Sequence, residues 1–208
     1  ASPAGNPFST DANDKTIGMW VSNIAGNRIW GRGVQANSAI VNIPQVTTTS
    51  GGVFYAFLNS YDGTNINQYV NNSISGSIAY NGTLQSWAEF GIGRQGSESW
   101  NGDIAEVMAY NIAVNAAQRI IIDNYLAAKY GLTLGSNDVY TQDGSGFDYE
   151  VAGIGRVDAS NIHDDAQGSG IVRILNPTDL EDNEFLMWGH DNGGLQATNT
   201  TDIPAGVT

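Results

Sequence analysis

Short apolar stretches recur along most of the chain and are separated by turn-forming Asn, Asp and Gly residues. Many short stretches at such spacing are typical of an all-β sandwich, whereas residues 1–14, rich in Pro, Gly, Asn and Asp, are predicted to form a loop. The predicted strands cover residues 17–21, 28–30, 38–43, 53–58, 66–70, 74–80, 90–93, 104–110, 151–156, 171–175 and 185–188.

Two neighbouring stretches predict a hairpin near the middle of the sheet. Residues 53–58 are almost continuously apolar, which indicates a central strand covered on both faces. Asp62 and Gly63 follow, a pair that favours a tight turn, and residues 66–70 would then return as the second strand.

The run from residue 104 to residue 131 predicts a strand, a turn and a helix. Residues 104–110 contain neither Pro nor Gly, and their alternating side chains predict a strand that packs mainly on one face. From Asn115 the apolar period changes to about 3.6 residues, which predicts a helix. Asn115 with Gln118 fits a capping box, and Gly131 stands where a left-handed residue commonly ends a helix. This is the one long helix that the pattern predicts.

The same run carries a family resemblance. The sequences NGDIAEVMAYN and QRIIIDNYLAAKYGL resemble the closing strand and helix of laminin-G-like, or concanavalin-like, jelly-roll modules in large surface and secreted bacterial proteins. Residues 55–59, 61–73 and 90–95 fit the same family, and the resemblance covers roughly residues 15–135. It implies an all-β jelly-roll sandwich with one α-helix.

A change of composition after Gly131 suggests that a second part of the chain begins there. Residues 132–146 are polar and rich in Gly, and residues 136–208 resemble a β-rich segment that often follows such jelly rolls. We therefore expect a jelly-roll module over residues 1–135, without its first strands, and an appended and incomplete β-rich segment over residues 136–208. On this expectation the chain is part of a longer polypeptide with neighbouring modules.

Composition restricts the partners and the compartment. The chain has 21 Asp and Glu against 8 Lys and Arg, a net charge of -13, which argues against binding to nucleic acid or anionic lipid. It has no Cys, so disulfides and thiolate metal sites are excluded. No apolar run approaches ~18 residues, so no membrane insertion is expected. These features suit a bacterial protein that is extracellular or at the cell surface.

Calcium is the one cofactor that the sequence suggests. The ion takes about six to eight oxygen ligands from carboxylates, amides and backbone carbonyls. Such oxygens are dense in residues 62–67, 138–148, 179–184 and 191–192, but no segment has the ligand order of an EF-hand. No metal ligand is therefore assigned, and the acidity could equally serve solubility alone.

An enzymatic alternative depends on Asp103 and Glu106. Some glycoside hydrolases of jelly-roll fold carry Glu-x-Asp-x-x-Glu on one strand, with the outer carboxylates as nucleophile and acid–base pair. Here Asn101 stands in the first position, and an amide cannot form the glycosyl ester. We therefore predict no catalytic residue and no enzymatic activity.

Trp100 and Arg94 are the candidate ligand-binding residues. Trp100 lies in a polar stretch with Glu98 and Asn101, where an indole ring could stack on a sugar, although a place in the core is an equal alternative. The resemblance implies a non-catalytic adhesion or ligand-binding module for a glycan or peptide. The alternatives are a structural spacer in a cell-surface filament and a glycoside hydrolase or lyase of jelly-roll fold.

Overall fold

The computed structural model describes residues 5–9, 17–22, 28–34, 40–43, 47–48, 50–82, 91–95, 98–168 and 172–193. Within these ranges the chain is rich in antiparallel strands and forms one α-helix, which confirms the predicted all-β class. The strands are β1 (Gly5–Ser9), β2 (Ile17–Ser22), β3 (Arg28–Val34), β4 (Ile40–Asn42), β5 (Thr47–Thr48), β6 (Phe57–Tyr61), β7 (Asn65–Val70), β8 (Ser73–Ala79), β9 (Gly91–Ile92), β10 (Arg94–Gln95), β11 (Glu98–Ser99), β12 (Tyr149–Asp158), β13 (Asn161–His163), β14 (Asp165–Gly168), β15 (Val172–Leu175) and β16 (Glu184–His190).

The first sheet has the strand order β4-β3-β2-β1-β9, and β5 also pairs with β3. The strands predicted near residues 17–21, 28–30 and 38–43 are confirmed as β2, β3 and β4. The predicted loop over residues 1–14 is wrong at β1, which pairs antiparallel with both β2 and β9. A polar strand of this kind is stabilised by its neighbours, which local composition does not reveal.

The second sheet has the order β6-β7-β8 and contains the predicted hairpin. Gly63 has a φ of 92°, a conformation that glycine adopts without strain. One carboxylate oxygen of Asp62 accepts the backbone N–H groups of Thr64 and Asn65 at 2.8 and 2.7 Å. Desolvation opposes ionisation of Asp62, but the hydrogen bonds from Thr64 and its neighbours outweigh it and lower the pKa to about 2.

The predicted central strand over residues 53–58 is wrong. The strand begins at Phe57, and β6 pairs only with β7 in the part of the chain that the structure describes. Val53 and Phe54 precede the strand and are 56% and 50% exposed. The apolar run therefore does not form one buried strand. Its first residues lie at the surface, whereas Phe57 packs against Val70.

The predicted strand over residues 104–110 is also wrong. This segment, which we call the 104–110 segment, enters no sheet, and Ile104, Val107 and Tyr110 are exposed. Glu106 is half-buried and its carboxylate is bound by the helix described next. A side-chain attachment to a helix thus takes the place of pairing with a strand.

The helix α1 (Ala116–Tyr130) confirms its predicted bounds and caps. The Asn115 side chain accepts the Gln118 backbone N–H while the Gln118 side chain accepts the Asn115 backbone N–H, each at 3.0 Å. Gly131 ends the helix in the left-handed conformation with φ 63°. Two further bonds fix the start of α1 to β13, because Asn115 Nδ2 donates to the Ile162 carbonyl and the Ala116 N–H donates to Asn161 Oδ1.

Helix α1 packs on the third sheet, whose order is β13-β12-β16. Gly153 and Gly155 of β12 lie opposite Met187 and Phe185 of β16, and a Cβ at either glycine would clash with the side chain opposite. Met187 also packs with the core residues of the helix face, so these glycines make room for the layer beneath α1. The hairpin of β14 and β15 lies against β12 as well. We call α1 with β12 to β16 the C-terminal unit.

Three small hydrophobic clusters are found among the described residues. Two belong to the β6-β7-β8 sheet, one around Val70 and one around Ile66, where the buried Ile43 after β4 joins the first sheet to the second. The third lies between α1 and β12, around Ala128 and Val151.

Candidate functional site

Glu106 binds three side chains of α1. Its carboxylate accepts Lys129 Nζ at 2.9 Å, the Tyr130 hydroxyl at 2.9 Å and the Tyr125 hydroxyl at 3.1 Å. Tyr125 and Lys129 are four residues apart on the helix, so they lie on one face. We call Glu106, Tyr125, Lys129 and Tyr130 the Glu106 cluster. It joins the 104–110 segment to the last turns of α1.

The contacts fix the charges of this cluster. Partial burial works against ionisation of Glu106, but hydrogen bonds from Lys129 and Tyr130 outweigh it and hold its pKa below the ordinary value. Hydrogen bonds to Tyr125 and Glu106 raise the pKa of Lys129. The pair is therefore a carboxylate and an ammonium at neutral pH, which suits a binding surface better than proton transfer.

Aromatic rings surround the ion pair. Phe54 stacks on Tyr130 with ring centroids 6.4 Å apart, and Lys129 Nζ lies 5.1 and 5.4 Å from the ring centroids of Tyr125 and Tyr130. Burial and the nearby Glu106 carboxylate raise the pKa of the Tyr110 phenol. Phe54 and Tyr110 are about half exposed, so an apolar surface lies next to fixed polar groups.

A buried polar contact connects α1 with the turn between β7 and β8. Arg119 Nη1 donates to both the carbonyl and the side-chain oxygen of Asn72, and its guanidinium lies 4.3 Å from the ring centroid of Tyr69. Asn72 Nδ2 donates to the Ser136 carbonyl at 2.9 Å. The second sheet and the C-terminal unit therefore meet through Asn72.

Two buried polar residues of α1 follow Arg119. Asp123 lies with one oxygen 3.7 Å from Arg119 Nη1, and desolvation, only partly offset by Arg119, raises its pKa to about 6. Asn124 donates to the Ile120 and Asn137 carbonyls and accepts the backbone N–H groups of Val139 and Tyr140. Asn124 thus fixes the chain that follows the helix.

Trp100 and Arg94, the predicted ligand-binding residues, lie near each other along the β10–β11 hairpin. Arg94 pairs with Ser99 in this hairpin, and the backbone N–H of Trp100 donates to the Gly93 carbonyl at 2.8 Å. The Trp100 ring is half-buried and packs against Val70. This position agrees with the core alternative for Trp100, and its role toward a ligand stays a prediction.

The segments predicted to supply calcium oxygens use many of them internally. Asp62 and Asp143 accept backbone N–H groups within their turns, and Asp191 accepts the N–H of Gly193. Asp182 accepts Arg156 Nε at 2.7 Å. Among the described residues no group of three or more His, Asp or Glu side chains could hold a metal ion. Calcium binding stays a prediction.

The sequence pattern predicted a strand over residues 104–110 and gave Glu106 no partner, so it did not identify the Glu106 cluster. The spacing of Tyr125 and Lys129 was the available signal, because residues four apart share a helix face. Nothing in the sequence specifies that Glu106 is their partner. In the described part of the chain, no helix is long and apolar enough to span a bilayer.

A known protein family matches the C-terminal part of the chain. Residues 118–208 match the family described as Domain of unknown function (DUF8202). The match begins within α1 and continues through β12 to β16, so most of the helix falls in the same family segment as the strands on which it packs. No curated protein sequence and no solved structure matches the chain.

Proposed function

We propose that the chain is a non-catalytic, extracellular ligand-binding module of a large bacterial surface or secreted protein. On this proposal its first part is a laminin-G-like jelly roll, residues 136–208 form the appended β-rich segment, and the ligand is a glycan. The resemblance of the run around α1 and the antiparallel strands support the sandwich. The acidic, Cys-free composition supports the compartment.

The exposed rings at the Glu106 cluster carry the binding proposal. Phe54 offers a half-exposed face, and Lys129 offers an ammonium held at a fixed position by Glu106. Sugars bind to such surfaces because their C–H faces stack on aromatic rings while their hydroxyls bond to charged groups. Arg94 and Trp100, on the β10–β11 hairpin, remain the sequence-derived candidates for the same role.

A glycan array followed by titration calorimetry tests this proposal. Phe54→Ala should weaken binding of any glycan found on the array by roughly tenfold or more, the effect of losing about 1.4 kcal/mol of contact. Tyr149→Ala, which removes an equally exposed aromatic ring from the C-terminal unit, should leave binding unchanged. Equal affinity in both variants, or binding to peptides alone, would refute a glycan site at the Glu106 cluster.

The non-catalytic part of the proposal rests on the state of Glu106. Its carboxylate is bound by Lys129 and two tyrosines and is held ionised, which does not suit a general acid. Asn101 offers no nucleophile for a retaining glycosidase. Hydrolysis or lyase cleavage of a glycan that is lost in Glu106→Gln but kept in Glu181→Gln would overturn this view.

A structural spacer is the second candidate, and the contact at Asn72 favours it. Arg119 and the Ser136 carbonyl hold Asn72 from two sides, so the β7–β8 turn has a fixed position against α1. A spacer of this kind would bind nothing on the array, melt in one cooperative transition and keep its shape in small-angle scattering.

Calcium is an additional element of the proposal and is tested separately. A site filled at ~100 times its dissociation constant adds ~2.7 kcal/mol to the free energy of unfolding. The melting midpoint should then rise by several degrees with calcium and fall with chelator. An unchanged midpoint would mean that the acidic segments bind no calcium and serve only the turn contacts described above.

A further inference from the structure

The 104–110 segment has the pattern of a strand and the surroundings of a surface loop. Its side chains alternate as in a half-buried strand, yet it enters no sheet and Ile104, Val107 and Tyr110 lie exposed. It contains no Pro, so no position in it lacks the backbone N–H that strand pairing uses. Exposed segments of this kind are templates for pairing with another chain.

We propose that two copies of this chain associate by antiparallel pairing of their 104–110 segments across a two-fold axis at Val107. The inference does not rest on the proposed glycan site, although Glu106 and Tyr110 belong to both surfaces. Two-fold pairing brings the same surface of each copy together, so the segment must be complementary to itself in reverse.

The sequence meets that condition. With Val107 opposite Val107 of the second copy, Ile104 lies opposite Tyr110, and Glu106 lies opposite Met108. Aliphatic and aromatic residues in directly opposed positions stabilise antiparallel pairs, whereas opposed like charges destabilise them. Asp103, next along the chain, would lie opposite Asn111. No carboxylate therefore lies directly opposite a carboxylate in this register.

The charge of the segment also favours a second copy as the partner. The whole chain has a net charge of -13, so most surface contacts between two copies would be repulsive. Within residues 104–110 the one charged side chain is Glu106, and Lys129 neutralises it at 2.9 Å. The segment is thus an apolar surface without uncompensated charge, and Ile112 at 60% exposed extends it.

Sedimentation velocity over a range of protein concentrations tests the proposal. The chain should sediment as a dimer at high concentration and as a monomer on dilution, and Val107→Lys should be monomeric throughout. Leu186→Lys, which places the same charge at a more exposed apolar position of β16, 51% against 36% for Val107, should dimerise like the parent chain. Thermal melts of both variants establish that they are folded.

Cross-linking tests the register without depending on a disruptive variant. The chain has no Cys, so a single introduced thiol reports on one position. Directly opposed residues in an antiparallel pair have Cα atoms about 4.5–5.5 Å apart, within disulfide range. Val107→Cys should therefore form a covalent dimer under oxidised glutathione. Ile112→Cys should not, because its two copies would be roughly 33 Å apart.

Two results would overturn the proposal. One is a monomer at every concentration, with Val107→Cys no faster to cross-link than Ile112→Cys. The other is a dimer that survives Val107→Lys, because the interface would then lie elsewhere. A dimer lost in Val107→Lys, together with cross-linking specific to Val107→Cys, would establish the pairing.

Discussion

The 104–110 segment and helix α1 are neighbours along the chain, and both have strong patterns, yet only the helix forms. Each backbone hydrogen bond of a helix joins residues four positions apart, and Asn115 and Gly131 satisfy groups at its two ends. A strand needs a second strand for every such bond. Local pattern is therefore sufficient to specify α1 and insufficient to specify the conformation of residues 104–110.

Helix α1 and the 104–110 segment also differ in how they pack against the rest of the chain. Helix α1 packs on β12 and buries Ile120, Ile121 and several other residues, whereas the 104–110 segment is attached mainly through Glu106. Changes in the helix should therefore have large effects on stability, and changes in the segment should have small ones.

The largest effect is expected for Asn124→Ala. The substitution removes the Asn124 amide group, which donates two hydrogen bonds and accepts two. It leaves the backbone N–H groups of Val139 and Tyr140 without their partner. Buried groups left unsatisfied cost ~1–3 kcal/mol each, so urea denaturation should give a loss of roughly 4 kcal/mol. Asn111→Ala, at an exposed position of the adjoining turn, should change little. A loss below ~1 kcal/mol would show that the bonds of Asn124 are dispensable.

Asp123 should make the stability of the helix contact depend on pH. Its pKa is about 6 in the folded chain against 3.8 for an unperturbed Asp side chain, so the folded state binds the extra proton between these pH values. The cost of ionising it is absent below about pH 4, develops as pH rises to about 6, and reaches roughly 3 kcal/mol at pH 7. Asp123→Asn should avoid this cost.

Denaturation of both proteins at pH 4 and pH 7 measures this effect. The stability advantage of Asp123→Asn over the parent chain should increase from pH 4 to pH 7. Asp103→Asn, an exposed carboxylate in the turn before the 104–110 segment, controls for the removal of one negative charge. An advantage independent of pH would mean that Asp123 does not titrate in this range.

Gly131→Ala should have an intermediate effect. The φ of 63° at the end of α1 is unfavourable for a residue with a Cβ, which costs ~1–2 kcal/mol. Gly144→Ala has open space around its Cβ and no positive φ, so it serves as the matched control. Thermal unfolding of the pair measures the difference, and equal midpoints would mean that the helix end relaxes without strain.

Glu106→Gln should have the smallest effect on stability. Lys129 is 43% exposed at its side chain, so solvent weakens the ion pair, and a loss of about 0.5–1 kcal/mol is expected. Glu181→Gln, an exposed carboxylate of the C-terminal unit, is the control for urea denaturation. A loss comparable to that of Asn124→Ala would place the 104–110 segment in the structural core and remove the contrast with α1.

The elements that could be predicted from sequence are those with local signals. The α1 caps and the Asp62–Gly63 hairpin were predicted because their hydrogen bonds lie within a few residues. The strand β1 was missed and the strand over residues 104–110 was wrongly predicted because pairing depends on distant residues. The buried polar residues of α1 were missed for the same reason, since hydrophobic periodicity does not identify Asp123 or Asn124 as core positions.

The site was less predictable than the fold. Trp100 was predicted to bind a ligand because it is a tryptophan among polar residues, but it packs against Val70. The exposed rings beside the Glu106 carboxylate are instead Phe54, which the apolar run had placed inside a sheet, and Tyr110. Exposure is a property of the assembled chain, so residue type alone did not distinguish the two cases.

The contact at Asn72 also has a mechanical meaning. Arg119 of α1 and the Ser136 carbonyl beyond it bind the same side chain from opposite ends of the helix region. A tensile load that draws the β7–β8 turn away from α1 must therefore break these bonds together rather than one after another. Bonds loaded in parallel yield at a higher force than the same bonds loaded in series, so this joint would resist separation of the β7–β8 turn from α1.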